Sequence, residues 1–320
     1  MNVAVVGAGF GRRVVAPVFE ATDGCEVVDV VSARDAAGVA ALVARPDVDL
    51  VSIHSPPFLH ATHVRAALGA GKAVLCDKPF ALDPAEADAL VTDAAAAGVV
   101  ALCNFEFRYA AARQRLRGLV RDGTIGTVRL VSWVHETTGS TVPLRPYGWL
   151  FDRVRGGGWI GAWASHAVDT LRFVFDAECS VLTSVPTTRV PERPGRDGAL
   201  HECTAEDSLE AALELSTGGM VTFKSTFAAM ESTPPRLAVF GSNATVVIVN
   251  DANIDVQYAD GMRESFTVPG SDEDRHLAPM RAWAEVVRDA VHGGVVPDDA
   301  PTFAAGAATD HVLAQLRAKQ

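Results

Sequence analysis

The first 120 residues alternate short apolar, β-branched runs with alanine-rich stretches of helical length. The strand-like runs are NVAVV, EVVDVV, DLVSIH, AVLC and VVALC, and the stretches between them include FGRRVVAPVFE and DPAEADALVTDAAAAG. Apolar runs of this kind are typical of parallel strands that helices cover on both faces. The pattern therefore predicts a doubly wound α/β domain over residues 1–120.

After residue 120, strand-like runs follow one another without intervening helices. They are RLVSWVH, SVLTSV, SLEAALEL, MVTFKSTF, RLAVFG, TVVIVN and NIDVQY, and the STGG link between the third and fourth is a short hairpin signal. Residues 121–320 are therefore predicted to form an α+β domain with a large, mostly antiparallel open sheet and helices on one face.

Three segments of the second half show helical patterns, at about 159–175, 278–291 and 301–318. We expect the last two helices to pack back on the first domain. Residues 186–207 are polar and rich in Pro and Gly, so we interpret them as an exposed excursion.

Composition favours a folded protein that works on small molecules. The chain has 320 residues, 48% of them hydrophobic and 21% charged, and its net charge of −11 is spread along the sequence. That distribution argues against nucleic acid or an anionic membrane as a partner. The chain opens without a basic segment ahead of an apolar one, and no apolar run reaches membrane-spanning length, so we expect a cytoplasmic protein.

No metal site is predicted. The five cysteines are scattered singly, and we interpret them as reduced and mostly buried thiols. His60 and His63 share one predicted helix, but no cysteine or carboxylate accompanies them at ligand spacing.

A glycine-rich turn follows the first predicted strand, in the order Gly7, Ala8, Gly9, Phe10, Gly11 and Arg12. Glycine is needed where the chain turns sharply and where backbone N–H groups approach a pyrophosphate at a helix N-terminus. Alone, a GxG is weak evidence, but the strand–turn–helix context favours dinucleotide binding over an ordinary turn. Arg12 stands where the third small residue of the fingerprint is usual, so the motif is imperfect.

The end of the second strand bears on the cofactor. An acidic residue there normally binds the ribose hydroxyls of NAD, whereas this strand ends at Ser32 and is followed by Arg34. A hydroxyl and a guanidinium suit a 2′-phosphate, so NADP is favoured over NAD. The alternative is that Asp29 or Asp35 performs the NAD role.

Lysine is scarce in this chain, because only Lys72, Lys78, Lys224 and Lys319 are lysines among the 28 basic residues. A lysine that occurs despite this preference for arginine can be required for its own chemistry. Its ammonium is compact and its pKa shifts on burial, whereas the arginine guanidinium is planar and stays charged. On the local stretch alone, the interpretation of Lys78 as a turn residue is favoured.

Several motifs in succession resemble the glucose-fructose oxidoreductase/inositol dehydrogenase (Gfo/Idh/MocA) family. They are GAGFG, DVDLVSIHSPPFLHATHVRAALGAGKAVLCDKPFAL, NFEFRY and GGGWIGAWASHAVDTLRF, and they cover the Rossmann domain and the start of the second domain. The resemblance implies an NAD(P)-dependent oxidoreductase that acts on the CH–OH group of a carbohydrate-like substrate, and it implies association through the large sheet into a homodimer or homotetramer.

The resemblance also assigns roles to residues that follow the third, fourth and fifth strands. Asp77, Lys78 and Pro79 match the family's Glu-Lys-Pro, in which the lysine reaches the substrate hydroxyl and the Lys-Pro bond is often cis; aspartate replaces the usual glutamate here. The remaining implied contacts are with the cofactor, at Ser55, Pro56, Pro57 and His60, and with the substrate, at Asn104 and Arg108.

His166 matches the family histidine that accepts a proton or binds substrate, and Asp169 lies three residues later on the same helix face. A lone histidine on an apolar helix is more often a core residue, but the preceding GGG and the order of the motifs favour the functional interpretation. The family's usual aspartate four residues before this histidine is Ala162 here, so Asp169 substitutes for it, His166 acts alone, or the ordinary reaction is absent. Trp159 and Trp163 are candidates either for a wall against a sugar ring or for core packing.

The function predicted from the sequence is hydride transfer between NADP, or alternatively NAD, and a secondary alcohol or ketone of a sugar, cyclitol or related polyol. Two rivals remain. The first is an NAD-dependent glycoside hydrolase that oxidises its substrate transiently, and the second is a cofactor-binding sensor without turnover.

Overall fold

The computed structural model describes residues 1–268 and 274–318, which form two compact units. The first unit comprises Met1–Tyr109 and Glu273–His311, and the second comprises Ala110–Asp272 and Val312–Gln320. This division differs from the predicted boundary at residue 120, because the first helix after residue 109 buries its apolar residues in the core of the second unit. Each unit has its own hydrophobic core.

The first unit is built on a five-stranded parallel sheet in the order β2-β1-β3-β4-β5. Four helices connect these strands. The elements are β1 (Asn2–Val6), α1 (Ala16–Glu20), β2 (Glu26–Val31), α2 (Ala36–Val43), β3 (Leu50–Ile53), α3 (His60–Gly69), β4 (Ala73–Cys76), α4 (Pro84–Ala97) and β5 (Ala101–Cys103).

The central strands β3 and β4 are buried at every position, as the unbroken apolar runs predict. One core lies between the sheet and α2, α3 and α4, and a second core covers the opposite face. The carboxyl ends of β1, β3, β4 and β5 consequently lie along one edge of the sheet. Doubly wound folds bind their ligands at this edge.

The second unit contains an eight-stranded sheet in the order β15-β14-β13-β12-β6-β11-β10-β7. Every neighbouring pair is antiparallel except β6 and β11, which confirms the predicted mostly antiparallel sheet. Its elements are α5 (Ala111–Arg121), β6 (Val128–Glu136), α6 (Ser165–Phe175), β7 (Cys179–Thr187), β8 (Glu192–Pro194), β9 (Leu200–Glu202), β10 (Ser208–Leu215), β11 (Met220–Thr226), β12 (Arg236–Gly241), β13 (Ala244–Val249), β14 (Asn253–Tyr258) and β15 (Arg263–Thr267).

Two helices complete the described chain, α7 (Leu277–Gly293) and α8 (Phe303–Ala318). Within the first unit, α7 buries Met280, Trp283 and Val287 in the core that also contains Phe19 of α1. The Trp283 side chain is fully buried and stacks on Tyr109 with ring centroids 5.0 Å apart. The sequence separation between this helix and the sheet that it covers exceeds 150 residues.

The excursion at 186–207 is more ordered than the sequence predicts, because it contains the β8–β9 hairpin. Arg193 in β8 is fully buried and donates to the Ser140 carbonyl and hydroxyl, at 2.5 and 3.0 Å, while its guanidinium lies over the Phe151 ring. A buried guanidinium with these partners ties the hairpin to the rest of the unit. The polar composition of residues 186–207 did not indicate this buried arginine contact.

Both segments that were predicted as single helices at functional motifs begin with a π-helical turn. Gly11–Val15 precedes α1, and Ile160–Ala164 precedes α6. The wider turn adds a residue to the helix, so the i, i+4 face relationship between Ala162 and His166 is not that of a regular α-helix.

Candidate active site

The glycine-rich turn requires its first glycine for two reasons. Gly7 has a φ of +141°, and a Cβ at this position would lie 2.5 Å from the His54 carbonyl oxygen. Its N–H donates to the Val31 carbonyl at 2.9 Å, which joins the turn to the end of β2. A Cβ on Gly9, in contrast, would meet no atom within 4 Å, so the second glycine leaves the backbone open to a ligand.

Gly11 takes the structural role of the third glycine of the fingerprint, although Arg12 occupies the usual position. A Cβ on Gly11 would lie 2.9 Å from Val5 Cγ1 in β1, so this residue supplies the close helix–strand contact usually made by the third glycine. Arg12 is exposed, and its guanidinium donates to the Val30 carbonyl at 2.8 Å. The arginine therefore lies at the end of β2 instead of interrupting the turn.

The end of β2 presents basic and hydroxyl groups. Ser32 and Arg34 are both exposed, and the Arg34 N–H donates to the Ser32 hydroxyl oxygen at 3.3 Å. Asp35 caps α2 by accepting a hydrogen bond from the Gly38 N–H at 2.9 Å, and Asp29 accepts one from the Val30 N–H at 2.7 Å. Both candidate acids are thus engaged by nearby backbone.

Two buried histidines support the loop after β3 from the interior of the unit. The ring nitrogens of His60 lie 2.8 Å from the Ser55 carbonyl and 3.2 Å from the Phe80 carbonyl, and His63 Nδ1 lies 3.1 Å from the Ser55 hydroxyl. His60 is fully buried, so the structure gives it a supporting role behind Ser55 and Pro56, not the cofactor contact expected from the sequence. Pro57 is also buried, whereas Pro56 is half-buried.

Asp77 and Lys78 follow β4, and the Lys78–Pro79 bond is cis, as the family resemblance implies. Burial favours the neutral acid, but the His54 hydrogen bond and the charge of Lys78 overcome it and lower the pKa of Asp77 to about 2. Burial lowers the pKa of Lys78 from its ordinary value, against the opposing charges of Asp77 and Glu106. The result is an ionised carboxylate beside an amine whose proton is held less tightly than usual.

His54 and Ser52 are site residues that the sequence analysis missed. His54 Nδ1 lies 3.2 Å from Asp77 Oδ2, and Nε2 lies 2.8 Å from the hydroxyl of Ser52 in β3. A signal was present in the sequence, because His54 directly follows β3 just as Asp77 follows β4 and Asn104 follows β5. Polar residues at those positions meet at the same edge of a parallel sheet.

Asn104 and Glu106 bring two more buried polar groups to this edge. The Asn104 amide donates to Asp77 Oδ1 at 3.4 Å, and its carboxamide oxygen receives no hydrogen bond from the described residues. Glu106, 2% exposed, pairs with His276 just before α7 at 2.7 Å. Arg108 donates to the Asp299 carbonyl at 2.8 Å, so part of its guanidinium supports the segment before α8.

The second unit buries His166 and Asp169 together in α6. Thr170 accepts a hydrogen bond from the Arg113 guanidinium at 2.7 Å and donates to the His166 carbonyl at 2.7 Å. The same arginine pairs with Asp251 at 3.1 Å and lies over the Trp133 ring. These contacts fix the backbone of the helix at the histidine.

Trp159 and Trp163 differ in their surroundings. Trp163 is 5% exposed and makes edge contacts with Trp133 and Phe223, which favours the core-packing interpretation. Trp159 is half-buried, stacks on Phe227 with ring centroids 4.6 Å apart and donates from its indole nitrogen to Ser225. Trp159 is therefore partly accessible to solvent, whereas Trp163 is not.

The GGG before His166 has a structural cause. Gly158 has a φ of +106°, and a Cβ there would overlap the buried carboxylate of Glu206. That carboxylate accepts from the Ile160 N–H at 3.1 Å, and Arg317 donates to the Gly157 carbonyl at 3.0 Å. The glycines therefore make room for an internal anchor, and they no longer support a functional role for His166.

Within residues 1–268 and 274–318, no group of three or more His, Cys, Asp or Glu side chains is arranged to hold a metal ion. In the same ranges, no helix combines the length and apolar character that crossing a membrane requires.

Comparison with known proteins identifies the family. Residues 1–105 match the oxidoreductase family with an NAD-binding Rossmann fold, and residues 113–247 match the GFO/IDH/MocA C-terminal domain. An uncharacterized oxidoreductase of Synechocystis sp. is 31% identical over 78% of this chain and 72% of its own length. The D-glucoside 3-dehydrogenase of Escherichia coli is 30% identical over 77% of this chain and 71% of its own length.

This chain belongs to the Gfo/Idh/MocA oxidoreductase family. The family resemblance, the Rossmann fold and the oxidoreductase class predicted from the sequence are thereby confirmed. Among solved structures, an oxidoreductase domain protein from Kribbella flavida has a TM-score of 0.87 at 24% identity, covering 98% of this chain and 95% of that one. The levoglucosan dehydrogenase complex with NADH has a TM-score of 0.86 at 21% identity, covering 99% and 96%. At these identities the likeness shows the fold alone.

The two glycines of the turn should respond differently to alanine. Gly7→Ala places a Cβ against the His54 carbonyl at a positive φ, so we expect it to cost roughly 1–3 kcal/mol of stability. Gly9→Ala should leave stability nearly unchanged but weaken cofactor binding, because the methyl group enters open space beside the backbone. Unfolding without cofactor and calorimetry with NADP and NAD measure the two effects, and wild-type cofactor affinity in Gly9→Ala would contradict this assignment.

Stability should fall on the acid side of neutrality because of His63. Burial, followed by the charge of His60, lowers the pKa of His63 from 6.5 to about 4. The unfolded chain therefore binds a proton that the folded chain excludes, and stability decreases as the pH falls from 6.5 toward 4, by about 3 kcal/mol for this group. Denaturant unfolding of His63→Gln across this range should show a smaller decrease. His311→Gln, which alters an exposed pair with Asp88, is the control and should retain the wild-type slope.

Proposed function

We propose that this protein transfers a hydride between a nicotinamide cofactor and a secondary alcohol or ketone carbon of a sugar, cyclitol or related polyol. The observation that carries the proposal is the half-buried Lys78 with its lowered pKa at the carboxyl end of β4, in a member of an oxidoreductase family. Levoglucosan, D-glucoside and inositol dehydrogenases among the relatives support a carbohydrate-like substrate.

The turn that begins at Gly7 fits a dinucleotide, because Ala8 and Gly9 are exposed ahead of a helix and no side chain fills the space beside Gly9. Ser55 and Pro56, after β3, would complete the cofactor surface. When bound, the nicotinamide supplies or accepts the hydride.

Lys78 places a positive charge beside the oxygen of the carbon that gains or loses the hydride. Its ammonium donates a hydrogen bond to the substrate hydroxyl or carbonyl and stabilises the alkoxide character that develops there. Because burial lowers its pKa, the group also gives up and regains a proton more readily than an exposed lysine.

His166 is proposed to accept the alcohol proton, with Asp169 on the same helix as its acidic companion. Ala162 replaces the family's usual aspartate, so His166 carries this role with less support than in its relatives. If that loss is decisive, the protein binds cofactor and substrate without turnover, which is the sensor alternative.

NADP is the proposed cofactor, with NAD as the alternative. Arg12 and Arg34 bring two exposed guanidinium groups to the end of β2 beside Ser32, while Asp35 is committed to capping α2. Guanidinium groups bind a phosphate bidentately, and an uncommitted carboxylate would repel it.

A panel of sugars and polyols, read by nicotinamide absorbance with each cofactor, tests the function. A net absorbance change with at least one substrate is the expected result. Cleavage of a glycoside without net absorbance change would favour the transient-oxidation hydrolase, and cofactor binding without any turnover would favour the sensor.

Arg34→Ala should reduce the difference in binding free energy between NADP and NAD. We expect wild-type protein to bind NADP more tightly than NAD, and the substitution to reduce that difference by roughly 1–3 kcal/mol, the scale of a hydrogen bond to a charged group. Calorimetry measures both affinities. Arg45→Ala, in an exposed pair with Asp47 of the same unit, is the matched control and should change neither. Equal affinities that Arg34→Ala leaves unaltered would refute the assignment.

Lys78→Ala should lower kcat by two or more decades, about 2.7 kcal/mol or more of activation free energy, with little change in the cofactor dissociation constant. Lys78→Arg should not restore activity, since the planar guanidinium cannot occupy the position of the ammonium. Steady-state rates and calorimetry give the two quantities.

Lys72→Ala is the matched control for Lys78. Lys72 is half-buried and donates to the Arg45 and Val48 carbonyls, so its loss affects stability and not the rate. Normal turnover by Lys78→Ala would instead support the interpretation of Lys78 as a turn residue.

His166→Ala should lower the rate and remove a pH dependence of the rate on the acid side of neutrality.

We further expect a dimer or tetramer. The face of the eight-stranded sheet opposite its core presents Leu130, Val134 and Val185, of which Leu130 and Val185 are 37% and 52% exposed. Association would remove such apolar side chains from water. Light scattering at micromolar concentration should therefore exceed the monomer mass of 33.7 kDa, and a monomer would contradict the expectation.

A further inference from the structure

His276, just before α7, brings an imidazole to the dinucleotide turn from a distant part of the chain. Its ring lies edge-on against the Phe10 ring, with centroids 5.1 Å apart, and its centroid is 5.0 Å from that of Phe107. Phe10 directly follows Gly9, beside which no atom fills the space. The imidazole therefore borders the surface on which the turn would bind a dinucleotide.

The start of α7 fixes the backbone of His276. Its carbonyl accepts from the Met280 N–H at 3.0 Å, and its own N–H donates to the Asp274 carboxylate at 3.0 Å. Further along the helix, Met280 and Trp283 are fully buried in the core of the first unit. The histidine is thus attached to a helix that the core holds in place.

A buried carboxylate fixes the orientation of the ring. Glu106 follows β5 and is 2% exposed, and its Oε1 lies 2.7 Å from His276 Nδ1. Because a carboxylate can only accept, Nδ1 carries the hydrogen of this bond. The two nitrogens lie on opposite sides of an imidazole, so Nε2 is directed away from the buried acid. The His276 side chain is 30% exposed, so a ligand can reach it.

The second imidazole beside Phe10 differs in this respect. The His54 ring centroid lies 5.8 Å from that of Phe10, but the His54 side chain has no exposed area. Its two ring nitrogens are already bonded, to Asp77 and Ser52. Of these two histidines, His276 is the one that a ligand on the turn can contact.

The protonation state of His276 decides what Nε2 can bind. In the neutral ring, with the hydrogen on Nδ1, Nε2 is an acceptor and cannot bond an ionised phosphate oxygen. In the protonated ring, Nε2 is a donor and the ring is positively charged, which suits an anionic oxygen. Folds of this kind bind the dinucleotide phosphates against the glycine turn. A phosphate contact from His276 therefore requires the protonated ring.

Acids and cations both surround this ring. Glu106 and Asp274 are the acids that bond its side chain and its backbone. Arg275 precedes it on the same segment, and Glu106 also acts on Lys78, whose pKa this acid raises against the effect of burial. An anion at Nε2 adds to the acids and shifts the balance toward the protonated histidine.

The turn itself contributes two further cations. Arg12 donates to a carbonyl at the end of β2, and Arg13 is exposed on the π-helical turn. The pair of His54 and Asp77 lies on the other side of Phe10. These groups are common to the wild-type protein and to variants of His276, so a comparison between them isolates the histidine.

We propose that His276 is a cofactor-binding residue: in its protonated form it donates from Nε2 to a phosphate oxygen of the dinucleotide on the glycine turn, and Glu106 is the residue that positions its ring. The inference rests on the proposed binding of a nicotinamide dinucleotide. Its consequence is that the cofactor binds together with a proton, and that cofactor affinity falls as the pH rises.

Calorimetry with NAD measures this proton uptake. NAD is the suitable probe because it has no group that titrates near neutrality, whereas the phosphate monoester of NADP titrates at about pH 6. In two buffers of different ionisation enthalpy, wild-type protein should take up a fraction of a proton for each NAD bound. The NAD affinity should fall between about pH 6 and pH 8, by up to about tenfold per pH unit, the limit for one linked proton.

His276→Gln provides a neutral side chain in place of the imidazole. It should bind NAD about tenfold or more weakly at about pH 6, the loss expected for a hydrogen bond to a charged group. It should also lose the proton uptake that this histidine causes. Glu106→Gln, whose amide oxygen can still accept from Nδ1, should retain more of the affinity than Glu106→Ala. His311→Gln is the matched control, because His311 also pairs with an acid, Asp88, and it should keep the wild-type uptake.

ADP-ribose distinguishes the phosphates from the nicotinamide. It has the pyrophosphate but not the nicotinamide, so its proton uptake should equal that of NAD and should likewise disappear in His276→Gln. Uptake with NAD but none with ADP-ribose would place the histidine at the nicotinamide half and overturn the phosphate contact.

NAD affinity and proton uptake that His276→Gln leaves unchanged, in protein shown by circular dichroism to be folded, would overturn the proposal. A wild-type protein that binds neither NAD nor ADP-ribose would overturn it as well. Failure of the hydride-transfer function is distinguishable, because it would appear in the substrate panel and leave these binding measurements unaltered.

Discussion

The parallel pairing of β1, β3, β4 and β5 places the carboxyl ends of four strands along one edge of the first sheet. Every residue that follows these strands must therefore share a small space with the others. The chain puts a glycine turn, a histidine, an aspartate and an asparagine there, and the side chains of His54 and Asn104 both hydrogen-bond to Asp77. The arrangement of the candidate site is largely a consequence of this single constraint.

Burying so many polar groups is costly unless each finds a partner. His54 and Asp77 solve that problem for each other, and the loop after β3 is held by His60 and His63 from the other side. The lowered pKa values of Asp77 and His63 have different origins, because the His54 hydrogen bond and nearby positive charges overcome the effect of burial at Asp77, whereas burial itself lowers the pKa of His63.

The second unit shows how a motif can be misinterpreted when its cause is structural. The GGG before α6 accommodates the buried Glu206 carboxylate, and Trp163 completes an aromatic core with Trp133 and Phe223. His166 and Asp169 remain the functional candidates there, on a helix that Arg113 and Thr170 hold in place. Large packed residues and candidate functional residues thus lie within one segment.

The sequence by itself determined the two sheets, all of their strands except the exposed β15, and most helices, because apolar periodicity records which faces are buried. It also identified the dinucleotide turn, the Asp77–Lys78–Pro79 segment and the family, since these are local patterns. Only the tertiary structure decided that Gly11 replaces the third fingerprint glycine, that His60 supports the loop after β3 and that His54 bonds Asp77. Each of those depends on residues far apart in the chain that the sheet brings into contact, and no local pattern encodes a hydrogen bond between the ends of two different strands.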